Sequence, residues 1–403
     1  MKISYNNFSK DENIGLEKKF ELIDNNAYSI LDNLSSLRII LKKELLQNTI
    51  KVTNDFKKNK NKFVIFGTGG SNLGARALVN INFNNNIEFY DNIDPVHFEN
   101  SFKDISIKST GFVIISKSGT TPETLSQLGA IIEIAKEKKQ LDEFYLNTLI
   151  ITESKSSPLY NIAKNNNCLY LEHENDIGGR FSVFSNVGMV PAILSGFKVE
   201  EFQEGARNIY ENYKIKNLNV LARIFRYQNL TRYSNSVIMT YSDSLYYFGK
   251  WYLQLWSESI GKDKKGITAI HSVGTTDQHS QLQLYLDGPK DKFFTFITTD
   301  HHKKGLKINS DIMNFENVDY LANKKMGDLM HAEQQATMDT FKINNFKFRE
   351  IFIPKINEFY LGSLMATSII ETVFSCIYFE VDAFDQPAVE YGKKLAIKYL
   401  NEN

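Results

Sequence analysis

Short apolar runs alternate with longer amphipathic stretches along most of this 403-residue chain. Between residues 59 and 198, the runs KFVIF, IEFY, GFVII, LNTLIIT and CLYLEH each have the length of a buried strand, and the stretches between them are compatible with helices. A second series begins with SVIMTYSD at residue 236 and continues with KFFTFITTD and REIFIPKI. Strands that alternate with helices form mainly parallel sheets. The pattern therefore predicts an α/β protein with two sheet domains, at 59–198 and 228–383.

Three further segments complete the predicted organisation. Residues 1–58 form a helical N-terminal segment, residues 199–227 a long charged helical connector, and residues 384–403 a C-terminal tail. The apolar stretch at 361–381 is long enough to be tested as a membrane span, but it contains Glu371 and Glu380. Charged residues are rare in membrane spans, so we interpret it as a core helix, either alone or continuing into a strand. Glu371 has no role that the sequence can assign.

Composition excludes several classes of protein. Lys plus Arg and Asp plus Glu number 47 each, so no excess of positive charge favours a nucleic-acid partner. Cys168 and Cys376 form no CxxC pair, which argues against a disulfide framework and against a cysteine zinc site. The N-terminus lacks the apolar core of a signal peptide. We expect a cytoplasmic protein that binds neither membranes nor nucleic acids.

The first glycine-rich loop, GTGGSNLG at 67–74, matches no nucleotide-binding fingerprint. A dinucleotide motif would need glycine where the chain has Asn72, and a P-loop would need lysine where it has Ala75. The loop still presents backbone N–H groups at Gly70 and the hydroxyl of Ser71 between a strand and a helix. Such a loop suits an anion or a sugar hydroxyl. A tight turn without a ligand would explain it equally well.

The second loop, SKSGTT at 116–121, places small polar residues between a buried strand and a helix that begins at Pro122. Ser116, Ser118 and Thr121 offer hydroxyl groups, and the glycine lets the backbone approach a ligand closely. Backbone N–H groups at a helix N-terminus favour a bound phosphate. We therefore predict a phosphate-binding loop, in which Lys117 either adds charge or points to solvent. The alternative is an ordinary N-capped helix with surplus hydroxyl groups.

The segment WYLQLWSESIGK at 251–262 predicts a helix that carries a base. Gln254 and Glu258 are four residues apart and share one face, among Trp251, Leu255 and Trp256. A carboxylate packed against aromatic rings would be partly desolvated, which suits a general base. A solvated residue at the rim of the helix is the competing interpretation.

Three other stretches carry single candidates. GGRFS places Arg180 behind two glycines, DQHS contains His279, which can exchange protons near neutral pH, and FDQPAVEYGKK contains Gln386 and Lys393. Taken alone, each has an ordinary explanation. Arg180 can be a solvated loop arginine, His279 a histidine of the core or the surface, and Lys393 an ordinary surface charge. The remaining histidines show no ligand spacing, so we predict no metal.

Taken in order, these stretches resemble the motifs of the phosphoglucose isomerase family, from about residue 60 to nearly the end of the chain. The matching stretches are FGTGGSNLG, SKSGTT, GGRFS, QLWSESIGK, DQHSQLQLYLDGP and FDQPAVEYGK. SKSGTT and the HAEQQAT segment resemble the shorter bacterial branch; longer relatives carry phenylalanine at the position of Gly119. The resemblance implies two sugar-isomerase (SIS) domains, each a mainly parallel sheet flanked by helices, and a reaction without a cofactor.

The resemblance also implies a role for each matched residue. The phosphate-binding positions are Ser116, Lys117, Ser118 and Thr121, and the sugar-binding loop contains Gly70 and Ser71. The catalytic positions are Glu258 as the base, Arg180 near the reacting carbons, and His279 with Lys393 for ring opening; Gln254 and Gln386 also match residues of the site.

The family interconverts glucose 6-phosphate and fructose 6-phosphate, in glycolysis and gluconeogenesis. The resemblance therefore predicts ring opening followed by proton transfer between C2 and C1 through a cis-enediol. In the family the histidine reaches the site from a partner subunit, which implies a homodimer. Two alternatives stay open: a non-catalytic SIS-domain sensor of sugar phosphates, and an isomerase that also accepts mannose 6-phosphate.

Overall fold

The computed structural model describes residues 1–7, 17–82, 86–216, 233–313 and 315–402. It contains two five-stranded sheets flanked by helices, so the predicted α/β architecture is confirmed. The first sheet is wholly parallel with the order β3-β2-β4-β5-β6, and the second has the order β1-β10-β9-β7-β8. The strands are β1 Lys2–Asn6, β2 Lys62–Phe66, β3 Ile87–Tyr90, β4 Thr110–Ile115, β5 Thr148–Thr152, β6 Leu169–Glu172, β7 Asn235–Thr240, β8 Thr268–Val273, β9 Lys292–Thr299 and β10 Phe348–Ile353.

Fifteen α-helices lie within the described residues. They are α1 Glu17–Asp32, α2 Ser35–Arg38, α3 Lys43–Lys57, α4 Leu73–Asn80, α5 Pro95–Phe102, α6 Pro122–Glu137, α7 Leu141–Leu146, α8 Pro158–Asn165, α9 Asn186–Leu194, α10 Val199–Lys216, α11 Tyr246–Ile260, α12 Leu282–Asp287, α13 Met326–Ile343, α14 Glu358–Phe379 and α15 Glu390–Glu402.

The first residues correct the prediction of a helical N-terminal segment. Lys2–Asn6 form β1, which pairs antiparallel with β10 at the edge of the second sheet. Ile3 and Tyr5 alternate with polar residues and pack against the hydrophobic core, as expected for an edge strand with one buried face. The periodicity over five residues is too short to separate from the helical pattern that follows, and the partner strand lies near the other end of the chain.

Helices between the two sheets connect the hydrophobic clusters of the molecule. Helix α9 shows how: Val190 packs against the first sheet, whereas Met189 belongs to the cluster shared with the second sheet. Both side chains are buried. The two sheets are therefore joined by a common hydrophobic layer, which fixes the loops at their edges relative to one another.

The predicted connector at 199–227 begins as a core helix. Helix α10 packs directly on α14, where an added Cβ at Gly205 would lie 1.8 Å from the carbonyl oxygen of Phe359. An added Cβ at Gly362 would likewise lie 2.0 Å from the oxygen of Phe202, and Ser363 Oγ donates to the oxygen of Gly205 at 3.0 Å. Only glycine allows the two backbones to come so close. Residues 217–227 of the predicted connector lie outside the described residues.

Helix α14 is the apolar stretch that the sequence marked for a membrane test. It has the length and composition of a membrane span, the one such helix in the described part of the chain, but residues 361–376 are all buried inside the protein. Asn357 caps its N-terminus by accepting from the N–H of Tyr360. The helix ends at Glu380, which adopts the left-handed conformation with φ 57°, and no strand follows. The core-helix interpretation holds, and its continuation into a strand is wrong.

Glu371 has a structural partner. Its carboxylate accepts a hydrogen bond from Arg349 Nη1 at 2.5 Å, and both side chains are 2% exposed. Arg349 Nε also donates to Thr295 on the neighbouring strand at 3.0 Å. Burial raises the pKa of Tyr5 to about 12, and the nearby Arg349 opposes that shift. The buried ion pair thus ties α14 to the second sheet beside the N-terminal strand.

Glu371→Gln should lower the free energy of unfolding by about 3–5 kcal/mol, because it leaves the buried Arg349 guanidinium without its counter-charge. Chemical denaturation monitored by circular dichroism measures the change. Asp339→Asn is the matched control, because its pair with Lys342 is exposed and contributes far less. Equal stabilities for the two variants would contradict the assigned role of the buried pair.

Candidate active site

The two polar loops predicted from the sequence lie side by side. Strand β2 leads into residues 67–71 and strand β4 into residues 116–121. The two strands are adjacent and parallel, with Phe66 opposite Ile114, so both loops lie at the carboxyl edge of the first sheet. Ligands of open α/β sheets bind at this edge. The topology therefore forms one crevice from two segments that are well separated in the sequence.

The SKSGTT loop folds into a compact arrangement of hydroxyl groups. Ser116 is 1% exposed, and its hydroxyl lies 2.8 Å from Thr121 Oγ1 and accepts from the N–H of Gly119 at 3.2 Å. Thr120 Oγ1 donates to Ser118 Oγ at 2.9 Å. Gly119 has φ +67°, and a Cβ there would lie 2.1 Å from Ser157 Oγ. The loop thus presents hydroxyl groups at the start of α6, an arrangement suited to an anion.

Lys117 points away from these hydroxyl groups. Its ammonium donates to the carbonyl oxygen of Asn175 at 2.8 Å and lies 3.8 Å from the carboxylate of Glu153. Asn175 belongs to the loop that leads to Arg180. In this structure the lysine side chain therefore links the SKSGTT loop to the arginine-bearing loop.

The first glycine loop packs backbone to backbone against the loop that carries Arg180. A Cβ at Gly70 would lie 2.2 Å from the carbonyl carbon of Gly179. Ser182 Oγ donates to the oxygens of Gly179, at 2.7 Å, and Gly70, at 3.3 Å. Gly69 has φ +58° and faces the amide of Gln254. Ser71 ends the short 3₁₀ turn Gly69–Ser71.

Arg180 is the central side chain of the site and is 4% exposed. Its Nε donates to Ser259 Oγ at 2.9 Å, and its Nη1 to Glu258 at 3.4 Å and to Gln386 Oε1 at 3.1 Å. Burial lowers the pKa of Arg180, and the charge of Glu258 opposes this shift. A guanidinium stays charged in proteins, so the site contains a fixed cation.

Glu258 is held by polar partners. Its Oε1 accepts from Gln254 Nε2 at 3.0 Å, and Arg180 lies beside its Oε2. The carboxylate is 34% exposed, whereas Trp251 and Trp256 turn to the buried face of α11. The aromatic surroundings expected from the sequence are therefore replaced by an amide and a guanidinium. The amide oxygen of Gln254 is buried without a partner among the described residues, which leaves an acceptor for a ligand hydroxyl.

His279 and Lys393 are not part of this group. His279 is exposed in the turn Thr276–His279, and Lys393 is 59% exposed on α15, where it pairs with Glu390 at 2.7 Å. Within the described ranges, neither has a recorded hydrogen bond or ion pair with Arg180 or Glu258. The structure thus brings together Gly70, Arg180, Gln254, Glu258 and Gln386 and leaves the histidine and the lysine apart.

Several contributors to the site escaped the sequence analysis. Ser259 and Lys262 lie within the same QLWSESIGK stretch as Glu258, so proximity in sequence could have identified them. The carbonyl oxygens of Ala383 and Asp385 accept from Arg180 Nη2 at 2.6 and 3.0 Å. Every residue has a carbonyl group, so no sequence signal marks these two.

A cavity of about 770 Å³ opens beside Glu258 and Gln386. It is lined mainly by residues 257–265 and 382–389. Its size lies within the range of small-molecule sites. Among the described residues no group of three His, Cys, Asp or Glu side chains is arranged to hold a metal ion.

Comparisons with known proteins agree on one family. The family model described as phosphoglucose isomerase matches residues 45–403. A probable glucose-6-phosphate isomerase of Methanococcus maripaludis is 35% identical over 86% of this chain and 80% of its own length. A glucose-6-phosphate isomerase of Methanocaldococcus jannaschii is 33% identical over 99% of both chains. The crystal structure of a hypothetical protein of Thermus thermophilus has a TM-score of 0.89 at 26% identity, covering 99% of this chain and 100% of that one.

Gly70→Ala should destabilise the protein by about 1–3 kcal/mol, because its methyl group would force two backbones apart. Gly129→Ala is the matched control, because a Cβ there meets nothing within 4 Å and the residue lies inside α6. The control should raise the stability by about 0.5–1 kcal/mol, since alanine favours a helix over glycine. Thermal unfolding of both variants measures the two opposite shifts, and a stable Gly70→Ala protein would contradict the close packing of the two loops.

Proposed function

The chain belongs to the phosphoglucose isomerase family, and it interconverts glucose 6-phosphate and fructose 6-phosphate; we propose that Glu258 and Arg180 perform the chemical step. The observation that carries this assignment is the position of the Glu258 carboxylate between the amide of Gln254 and the guanidinium of Arg180. A base beside a fixed cation is what proton abstraction next to a carbonyl group needs. A non-catalytic sensor would need the phosphate loop but no such pair, and the family assignment does not favour it.

The SKSGTT loop is the proposed anchor for the phosphate. Ser116, Ser118 and Thr121 contribute hydroxyl groups, and the N-terminus of α6 adds a favourable dipole. The phosphate is remote from the bonds that change, so its binding energy serves to orient the sugar. Lys117 supports this loop through its main chain and its link to Asn175, and Gly70 and Ser71 line the sugar-binding side.

Proton transfer follows in the open-chain sugar. Glu258 takes the proton from C2 of the aldose and returns it to C1, through a cis-enediol, and the hydroxyl proton of O2 passes to O1, so that C1 becomes a hydroxymethyl group and C2 a carbonyl group. The developing oxyanion is stabilised by Arg180, which can exchange its contacts with Glu258 and Gln386 for the substrate oxygen. Gln254 holds one carboxylate oxygen of Glu258, which directs the other toward the substrate. Each well-positioned proton transfer accelerates a reaction about 10²–10⁴-fold.

Ring opening is assigned to His279 and Lys393, with His279 donated by the partner subunit of a homodimer. The exposure of His279, and the lack of a hydrogen bond between His279 and Glu258 among the described residues, support this assembly. Helix α15, which carries Lys393, has no buried residue, and Tyr391, Ile397 and Leu400 expose large apolar side chains on it. A second subunit that covered such surfaces would remove them from water. The neutral balance of charge and the two buried free cysteines are consistent with a cytoplasmic enzyme.

Glu258→Gln should reduce kcat by at least about 10²-fold, because the amide cannot accept the proton that moves between C1 and C2. The KM for fructose 6-phosphate should change little, since the phosphate loop is intact. A coupled assay in the presence of a chelator measures both constants. Glu133→Gln on the exposed face of α6 is the control and should behave as wild type. Near-normal turnover of the Glu258 variant would remove this residue from the role of base.

Mixing two inactive variants tests the shared site. Glu258→Gln and His279→Ala should each lack activity, but a heterodimer of the two contains one site with both native residues. Random exchange of subunits in an equal mixture should therefore restore about one quarter of the wild-type activity. If heterodimers form, as native mass spectrometry can show, and the mixture stays inactive, the histidine does not act across subunits.

A further inference from the structure

The ammonium of Lys262 is almost completely buried and fully bonded. Its side chain is 8% exposed, and Nζ donates to the carbonyl oxygens of Glu258 at 2.9 Å, Ser259 at 2.7 Å and Asp382 at 2.5 Å. A lysine ammonium has three donors, so all of them are used. The carboxylate of Asp385 lies 3.3 Å away and balances the charge. Such a lysine is unusual, because most lysines keep their charge in water.

Two of these bonds are made to the end of the helix that carries the base. Helix α11 ends at Ile260, so the carbonyl groups of its last turn have no partner within the helix. Glu258 and Ser259 belong to this turn, and a cation at a helix C-terminus is favourable. Lys262 therefore fixes the backbone from which the Glu258 carboxylate and the Ser259 hydroxyl project.

The other two contacts are made to the segment 382–386, which carries Gln386. Arg180 holds the same segment through the oxygens of Ala383 and Asp385 and through the side chain of Gln386. The segment is thus held between two buried cations, one of which faces the substrate. Without Lys262, the hydrogen bonds that link the end of α11 to this segment within the described residues would all pass through Arg180.

We propose that Lys262 is a positioning residue for the isomerisation: it couples the end of α11 to the segment 382–386 and so sets the distance between Glu258, Arg180 and Gln386. It lies behind the backbone of Glu258 and touches no reacting atom. The phosphate loop follows β4 at the carboxyl edge of the first sheet, and none of the hydrogen bonds and ion pairs of Lys262 involves it. The consequence is specific: loss of Lys262 impairs the chemical step and spares phosphate binding. The inference rests on the proposed role of Glu258 as the base.

The test compares three variants of the full-length enzyme. Lys262→Met keeps the length of the side chain but loses the ammonium, Lys262→Arg keeps a charge of different shape, and Lys136→Met is the control. Lys136 also lies near the end of a helix, in the last turn of α6, but its side chain is 51% exposed and it pairs with the exposed Glu133 at 2.7 Å. The readouts are kcat and KM for fructose 6-phosphate, the affinity for glucitol 6-phosphate, which cannot isomerise, and the thermal midpoint.

Lys262→Met should lower kcat about 30–100-fold, because misplacement of catalytic groups by about 1 Å costs up to 10²-fold. Its KM and its affinity for glucitol 6-phosphate should stay within about threefold of wild type, since both depend on the phosphate loop. Lys262→Arg should be intermediate, since a planar guanidinium cannot reach all three carbonyl oxygens in the same way. Lys136→Met should match wild type. Amide hydrogen exchange at 258–261 and 382–386 should accelerate in Lys262→Met but not at 116–121.

Several results would overturn the proposal. One is a kcat for Lys262→Met equal to that of Lys136→Met; another is a parallel loss of kcat and glucitol 6-phosphate affinity, which would indicate a general structural role. If the methionine variant does not fold, the arginine variant decides, and its unchanged kcat would refute the proposal. An active Glu258→Gln enzyme would refute the role of the base instead, so the two failures can be told apart.

Discussion

The buried guanidinium of Arg180 is the interaction on which the site depends. Its donors join the end of α11, the segment 382–386 and its own loop, three parts of the chain separated by many tens of residues. Removing a partner from a buried cation typically costs about 3–5 kcal/mol, so these segments cannot separate without a large penalty. The same contacts that close the fold around Arg180 therefore place Glu258 and Gln386 beside it. The contacts of Arg180 that assemble the site are therefore also the contacts that stabilise this region.

Charge and hydrogen bonding divide the site into two parts with different tasks. The SKSGTT loop offers neutral hydroxyl groups and backbone N–H groups, whereas the fixed charges of Arg180 and Glu258 lie around the second loop. Lys117 connects the two parts, because it starts in the first loop and ends on the carbonyl group of Asn175, five residues before Arg180. The SKSGTT loop is therefore hydrogen-bonded to the segment that leads to Arg180. If this loop anchors the substrate phosphate, as proposed, the link gives a physical route by which the anchored end of a substrate can orient its reacting end.

How well the sequence predicts a feature depends on how far apart in the chain the interacting residues lie. The first sheet, strands β7, β9 and β10 of the second sheet and the shared face of Gln254 and Glu258 arise from local periodicity, and the sequence was sufficient for them. Strand β8, Thr268–Val273, was not predicted. Strand β1 was missed because its partner β10 lies at the other end of the chain, and a five-residue alternation is a weak local signal. The pairing of Glu371 with Arg349 was missed because the sequence around a buried charge does not indicate which residue elsewhere in the chain binds it. The carbonyl groups that hold Arg180 have no side-chain signature at all.

In the single subunit, His279 and Lys393 are too exposed for the ring-opening role proposed for them. Proton transfer to a ring oxygen is most effective in a site that excludes water, yet both side chains are exposed here. Helix α15 contributes no buried residue to its own subunit, and Tyr391, Ile397 and Leu400 on it leave most of their apolar surface in water. Under the proposed dimer, the second subunit would cover these groups and bring a histidine to each site. The exposed histidine, the exposed lysine and the apolar side chains of α15 would then all be accounted for by the same second subunit.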